Sequence, residues 1–165
     1  MKDYAQFYGR LTAKLRASSW QLKLLRLTNK GITTLMYLCY PLLLAYLFWK
    51  QPDRLLFVIG IPGLGFLLVS FFRSWYNQAR PYEEWQISPL IAKDTQGQSF
   101  PSRHVFSASV IAMCFCQVYL GIGLLMLGLA GLLAVARVLA GVHYPKDVLV
   151  GLILGILWGA LLFVL

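Results

Sequence analysis

Ala136-Arg137-Val138-Leu139-Ala140-Gly141-Val142-His143-Tyr144-Pro145-Lys146-Asp147 separates two long apolar runs near the end of the chain. It holds an Arg, a His and an Asp where the flanking composition predicts none. The chain has only two histidines. One is His143; the other, His104, opens a further apolar run beside Arg103. A buried Arg or Asp at the centre of a membrane helix costs roughly 2.5–3.5 kcal/mol on an insertion scale. A bound anion is the simplest compensation for charges kept at the ends of membrane-length segments.

Composition sets the class. Of 165 residues, 59% are hydrophobic and 13% charged, and the mean hydropathy is +0.66. That is too apolar for a soluble domain of this size and fits a small polytopic membrane protein with one domain. The net charge of +9 does not indicate nucleic acid, because the basic residues gather at the N-terminus and at the ends of apolar runs. An anionic membrane surface is the expected partner. Cys39, Cys114 and Cys116 lie inside apolar runs, which excludes a disulfide framework. Cys114 and Cys116 have no nearby His or carboxylate, so neither a metal site nor a cofactor site is expected. No cleavable signal peptide is read at the N-terminus.

Taken in order, residues 1–30 form a basic amphipathic interfacial segment. Tyr4, Phe7, Tyr8, Leu11 and Leu15 recur at helical spacing, with Arg10, Lys14 and Arg16 between them. This helix either lies on the leaflet or packs on the protein's own spans; Trp20 and Leu22–Leu27 continue the interfacial layer. Residues 31–165 form a domain of about five spans. The first runs from Gly31 to Trp49 and the second from Leu55 to Phe72. A long polar loop, 73–103, follows. The third span covers about His104–Leu120, a break falls at Gly121-Ile122-Gly123, and the fourth covers Leu124–Ala140. Pro145 suits the first turn of a new helix, and the fifth span is Val148–Leu165. The fold class is therefore all-α, a polytopic membrane helix bundle with an N-terminal interfacial helix. With five spans, Arg73, Arg80, Arg103, His104, Arg137, His143 and Asp147 converge on one membrane face.

Arginines supply planar, permanently charged donors suited to phosphate oxygens. Ser102 and the free N–H groups opening the third span add an anion site. Two histidines allow a nucleophile and a general acid. Asp147, four residues after His143, is placed to accept the ring N–H and fix the tautomer. The chemistry expected is phosphoryl transfer without a metal, with His143 attacking in line and His104 protonating the leaving oxygen.

The three clusters resemble the signature of the type 2 phosphatidic acid phosphatase family. Its pattern is Lys, six residues, Arg-Pro; then Pro-Ser-Gly-His; then Ser-Arg, five residues, His, three residues, Asp. Here Arg73 precedes Arg80-Pro81, Pro101-Ser102-Arg103-His104 follows, and Ala136-Arg137 leads to His143 and Asp147, with every spacing kept. The resemblance implies a phosphohistidine at His143, His104 as acid, and phosphate held by Arg73, Arg80, Ser102 and Arg137. Three positions depart from it: Arg73 for Lys, Ala136 for Ser, and Arg103 for Gly. Arg103 either adds a phosphate contact or crowds the site. Glu83, Glu84, Lys93 and Asp94 are expected in a solvated loop or headgroup filter, and Trp75, Tyr82 and Trp85 as interfacial anchors.

The expected activity is that of an integral membrane lipid phosphatase acting on a phosphate monoester such as phosphatidylglycerol phosphate or phosphatidic acid. One alternative is an undecaprenyl pyrophosphate phosphatase working on the outer face. The alternative of another class is a catalytically degenerate protein that only binds lipid phosphate. Seven Lys/Arg in residues 1–30 favour a site on the cytoplasmic face of the plasma membrane, and the compactness of the chain points to a bacterial protein.

Overall fold

The apolar runs fold as helices, and the polar stretches between them form the connections. The computed structural model describes residues 3–92 and 95–164; Lys93 and Asp94, expected in the solvated loop, lie outside the described residues. The helices are α1 (Tyr4–Arg16), α2 (Ser19–Lys50), α3 (Pro52–Tyr76), the short α4 (Pro81–Glu84), α5 (Arg103–Val118), α6 (Leu120–Leu139) and α7 (Pro145–Ala160), closed by a 3₁₀ turn, Leu161–Phe163. No strand occurs among the described residues.

Four of these segments, beginning at Ser19, Pro52, Leu120 and Pro145, are long and apolar enough to cross a membrane. The expected third span is α5, which is shorter at 16 residues, or about 24 Å of helix. It is also the central helix, packing on α2, α3, α6 and α7. Val105, Ala108, Ile111 and Ala112 of α5 meet Ile32 and Met36 of α2, Met126, Ala130 and Leu133 of α6, and Val148 of α7. The outward faces of α2 and α3 stay apolar and exposed, as Leu38, Leu42, Leu56 and Leu67 show. Surfaces of that kind suit lipid rather than water.

Two expected boundaries move. The break between the third and fourth spans falls at Tyr119, which is extended at φ −140° and ψ 96°. Gly121 and Gly123 instead lie inside α6. Gly123 is where α6 crosses closest to α5: a Cβ there would sit 2.3 Å from the Cys116 backbone nitrogen. Trp20 and Leu22–Leu27, expected to continue the interfacial layer, form the opening turns of α2, which runs on without a break into the first span.

The α5–α7 contact positions the polar loops. Gly151, Gly155 and Gly159 form a stripe on α7, and a Cβ on Gly155 would come within 2.7 Å of the Phe106 carbonyl. Small residues at this spacing let membrane helices approach closely. The approach brings together the first turns of α5 and α7, where His104 and Asp147 lie.

Gly155→Leu is expected to force α5 and α7 apart. Overpacking of this kind costs about 1–3 kcal/mol, so a lower thermal midpoint in detergent is expected, together with reduced activity. An unchanged midpoint would mean that the stripe does not set the packing.

Candidate active site

Each polar cluster sits at a helix end, where the chain leaves the apolar layer. Arg73 lies in the last turn of α3, Arg80 just before α4, and Ser102 and Arg103 at the start of α5. Arg137 lies in the last turn of α6, where a cation also favours the helix dipole. The link from α6 to α7 turns at Gly141, whose φ of +78° lies in the left-handed region open to glycine. His143 follows that turn directly.

Arg73, Arg80, Arg103, His104 and His143 line one cavity of about 270 Å³, with Thr95, Gln96 and Gln98 from the loop. Ser102 and Asp147 are completely buried and Arg137 nearly so, but none of the three forms part of the cavity wall. Of the seven charged and histidine positions expected on one face, five line this cavity, and Arg137 and Asp147 do not.

The arginines are held by carbonyls rather than carboxylates. Arg73 Nη1 donates to Ser99 O at 3.2 Å and also to Pro101 O. Arg80 donates from Nε to Gly97 O at 3.0 Å and from Nη1 to Val142 O at 3.1 Å. The second bond braces the loop that carries His143. Arg73 Nε, Arg137 Nε and Ser102 Oγ are buried without a hydrogen-bond partner among the described residues. Unsatisfied buried donors are rare in native proteins. Three of them around positively charged side chains form a site shaped for an anion. Among the described residues, no group of three His, Cys, Asp or Glu side chains could hold a metal ion.

Asp147 sits behind His143. Its Oδ2 is 3.6 Å from His143 Nδ1, longer than a hydrogen bond, so the direct bond expected from the i,i+4 spacing is replaced by a relay. Ser99 Oγ donates to Asp147 Oδ2 at 2.5 Å and lies 3.4 Å from His143 Nδ1. The same carboxylate oxygen accepts the Tyr144 N–H at 3.0 Å, which caps α7. Nδ1 therefore faces the serine and the carboxylate, and the tautomer leaves Nε2 as the candidate nucleophile. Burial lowers the His143 imidazole to about 4, with Arg80 and Arg137 adding to the lowering and Asp147 opposing it. A neutral ring at physiological pH is the form able to attack phosphorus.

Ser99 was not singled out by sequence, since a serine in a polar loop carries no local signal. Glu83 and Glu84 are exposed, as expected of a solvated loop, and both also accept hydrogen bonds. Glu83 accepts the Arg80 N–H at 2.7 Å and the Gly97 N–H at 2.9 Å. Glu84 accepts the Tyr144 hydroxyl at 2.6 Å. Both are structural acceptors that bind the loop to the site. Trp75 is exposed as expected of an anchor, whereas Trp85 packs beside Tyr4, Tyr8 and Tyr144. Helix α1 packs on the protein: Tyr8 Oη donates to Leu139 O at 3.0 Å.

The chain is similar in sequence and in fold to known proteins. The chain is 33% identical over 138 residues to undecaprenyl-diphosphatase BcrC of Bacillus subtilis (strain 168), covering 80% of this chain and 70% of that protein. The crystal structure of Aquifex aeolicus LpxE superposes with a TM-score of 0.69 at 28% identity, over 87% of this chain and 94% of that one. A Bacillus subtilis PAP2-type phosphatidylglycerolphosphate phosphatase superposes with a TM-score of 0.68 at 25% identity, over 88% and 76% of the two chains. Residues 35–165 match the PAP2 superfamily, and with both histidines of that signature lining one cavity beside Arg73 and Arg80, the chain belongs to this superfamily of membrane phosphatases.

Proposed function

We propose that this phosphatase hydrolyses a polyprenyl diphosphate through a phosphohistidine, without a metal. The observation that carries the reading is the cavity itself, where two histidines meet arginines hydrogen-bonded to backbone carbonyls rather than ion-paired to carboxylates. The diphosphate substrate is supported by the similarity to a protein named undecaprenyl-diphosphatase. A second reading, a glycerophospholipid phosphate monoester, is favoured by the similarity to the phosphatidylglycerolphosphate phosphatase.

In the proposed reaction, Arg73, Arg80 and Arg137 bind the terminal phosphoryl oxygens, and Ser102 Oγ donates to one of them. His143 Nε2 forms a bond to phosphorus as the bridging P–O bond breaks. The electron pair leaves on the bridging oxygen, which takes its proton from His104. Ser99 and Asp147 hold the Nδ1 proton and offset the charge that builds on the ring. Water then attacks the phosphohistidine, gives its proton to His104, and releases phosphate. The arginines stabilise the transition-state charge throughout, which is the largest contribution expected in phosphoryl transfer.

The proposed side of the membrane is the cytoplasmic one. Helix α1 packs against the site-bearing loops, so the basic N-terminal segment and the cavity share a face. Positive charge outside the site concentrates there, and such segments are retained inside. Gln86 is exposed on this face. A Gln86→Cys variant is expected to resist an impermeant maleimide in intact cells and to react in inverted vesicles. Labelling in intact cells would move the site to the outer face.

Purified protein with chelator present is expected to release phosphate from undecaprenyl diphosphate faster than from phosphatidylglycerol phosphate. His143→Ala is expected to lower that rate by about three orders of magnitude or more. Phosphate release that survives the substitution would remove the phosphohistidine. Tight binding with no release in the wild type would return the chain to the binding-only reading.

The buried ring gives a further test. Nitrogen NMR of the labelled histidines, with His104→Asn to assign them, is expected to find His143 neutral down to pH 5, with its midpoint near 4. Because the folded pKa lies below the unfolded value of about 6.5, the unfolded chain binds more protons. The His143 contribution to stability is therefore full above pH 6.5 and is lost as pH falls toward 4. A midpoint between 6 and 7 would mean that the ring is solvated.

A further inference from the structure

Arg103 stands where the family pattern has Gly, and its side chain takes a definite direction. It leads back along α3. Nη1 donates to Ser70 Oγ at 3.3 Å, and the guanidinium carbon lies 5.0 Å from the centroid of the Phe66 ring. Ser70 and Phe66 lie three and seven residues before Arg73, on the same face of α3. They sit one and two turns deeper in the bilayer, or about 5 and 10 Å at 1.5 Å per residue. The Arg103 guanidinium therefore lies on the membrane side of the arginines assigned to the reacting phosphate. It still forms part of the cavity wall with Arg73, Arg80 and both histidines.

Just beyond Arg103 the wall changes character. An apolar cavity of about 280 Å³ is lined by Gly65, Leu68, Phe72, Phe100, Leu154 and Trp158, among others. It runs between α3, α5 and α7, and its lining includes Gly65, the neighbour of Phe66, and Pro101 and Phe106, which flank Arg103 in the chain. A substrate with its chain on this apolar wall and its terminal phosphate over His143 must pass its linking group beside the guanidinium. The glycerol next to the terminal phosphate of a phosphatidic acid or a phosphatidylglycerol phosphate offers that charge only neutral oxygens, and the phosphodiester of the latter lies a whole glycerol further along. A second phosphate offers an anion.

We infer that Arg103, seated on Phe66 and Ser70, forms a second phosphate subsite that holds the phosphate retained by the lipid. This rests on the diphosphate reading above and assigns a specificity-determining residue within it. As His143 Nε2 bonds to the terminal phosphorus, the bridging P–O pair moves onto the lipid monophosphate. Arg103 is placed to neutralise the charge growing on that leaving group, which a permanently charged planar donor does well. Cation–π seating on Phe66 keeps the fork aligned without a competing carboxylate.

The test uses two substrates with one chain, farnesyl diphosphate and farnesyl monophosphate, and the variants Arg103→Ala and Arg103→Lys. A hydrogen bond to a charged group corresponds to roughly 10–100-fold. Arg103→Ala is therefore expected to lower the diphosphate-to-monophosphate ratio of kcat/KM by about 30-fold, with Arg103→Lys between it and the wild type. A second readout needs no lipid: competition by methylenediphosphonate and by inorganic phosphate against p-nitrophenyl phosphate hydrolysis. The preference for the diphosphonate is expected to collapse in Arg103→Ala. An unchanged ratio in both assays, in a variant with wild-type thermal midpoint, overturns the subsite while leaving diphosphate hydrolysis in place. A wild type that cleaves the monophosphate and not the diphosphate overturns the substrate reading itself, and the subsite with it.

Discussion

The Asp147 residue is the point at which the separate polar segments become one site. Its carboxylate accepts from Ser99 of the long loop and from the Tyr144 N–H that opens α7. Its backbone carbonyl accepts the Ser102 N–H, at 2.9 Å, from the start of α5. One buried residue thus ties together the loop, the His143 turn and two membrane helices. In an interior of low dielectric, a carboxylate held this way has one stable arrangement, because each lost bond leaves a buried charge exposed to apolar surroundings.

The arginines pose the opposite problem. Three are buried almost completely and close enough for mutual repulsion. Carbonyl oxygens of Gly97, Ser99, Pro101 and Val142 supply partial compensation, and they also bind the loop down over the cavity. What remains is a net positive interior with free donors, an arrangement that lowers the energy of a bound phosphate and more so of a transition state carrying extra charge. The same field helps keep His143 neutral, so in the proposed reaction the groups that bind the anion also prepare the nucleophile.

The membrane bundle supplies the stiffness this needs. With no hydrophobic effect to drive helices together inside lipid, close packing must do so. The glycine stripe of α7 seats that helix on α5, and α5 is enclosed on several sides by the other helices. On the polar face, Tyr4 and Tyr8 of α1 pack on Tyr144, the neighbour of His143 in the chain. Arg16 of α1 bonds to Ser88 O in the loop. An amphipathic helix that could have lain on lipid thus buttresses the site.

Much of this was legible in the chain. Apolar runs of membrane length, interrupted by Arg, His and Asp at fixed spacing, determine the helical class, the shared face of the charged residues and the signature positions, because these depend on local periodicity and on the cost of charge in lipid. Other features depend on partners distant in sequence, and only the tertiary structure decided them. Ser99 reaches Asp147 across 48 positions, and Glu84 reaches Tyr144 across 60. The direction of Arg103 depends on an aromatic ring and a hydroxyl presented by α3. The break at Tyr119, rather than at the nearby glycines, follows from α6 needing Gly123 against the Cys116 backbone. Spacing along one helix constrains which residues share its face; which side chain from another segment completes a buried hydrogen bond is set when the helices pack.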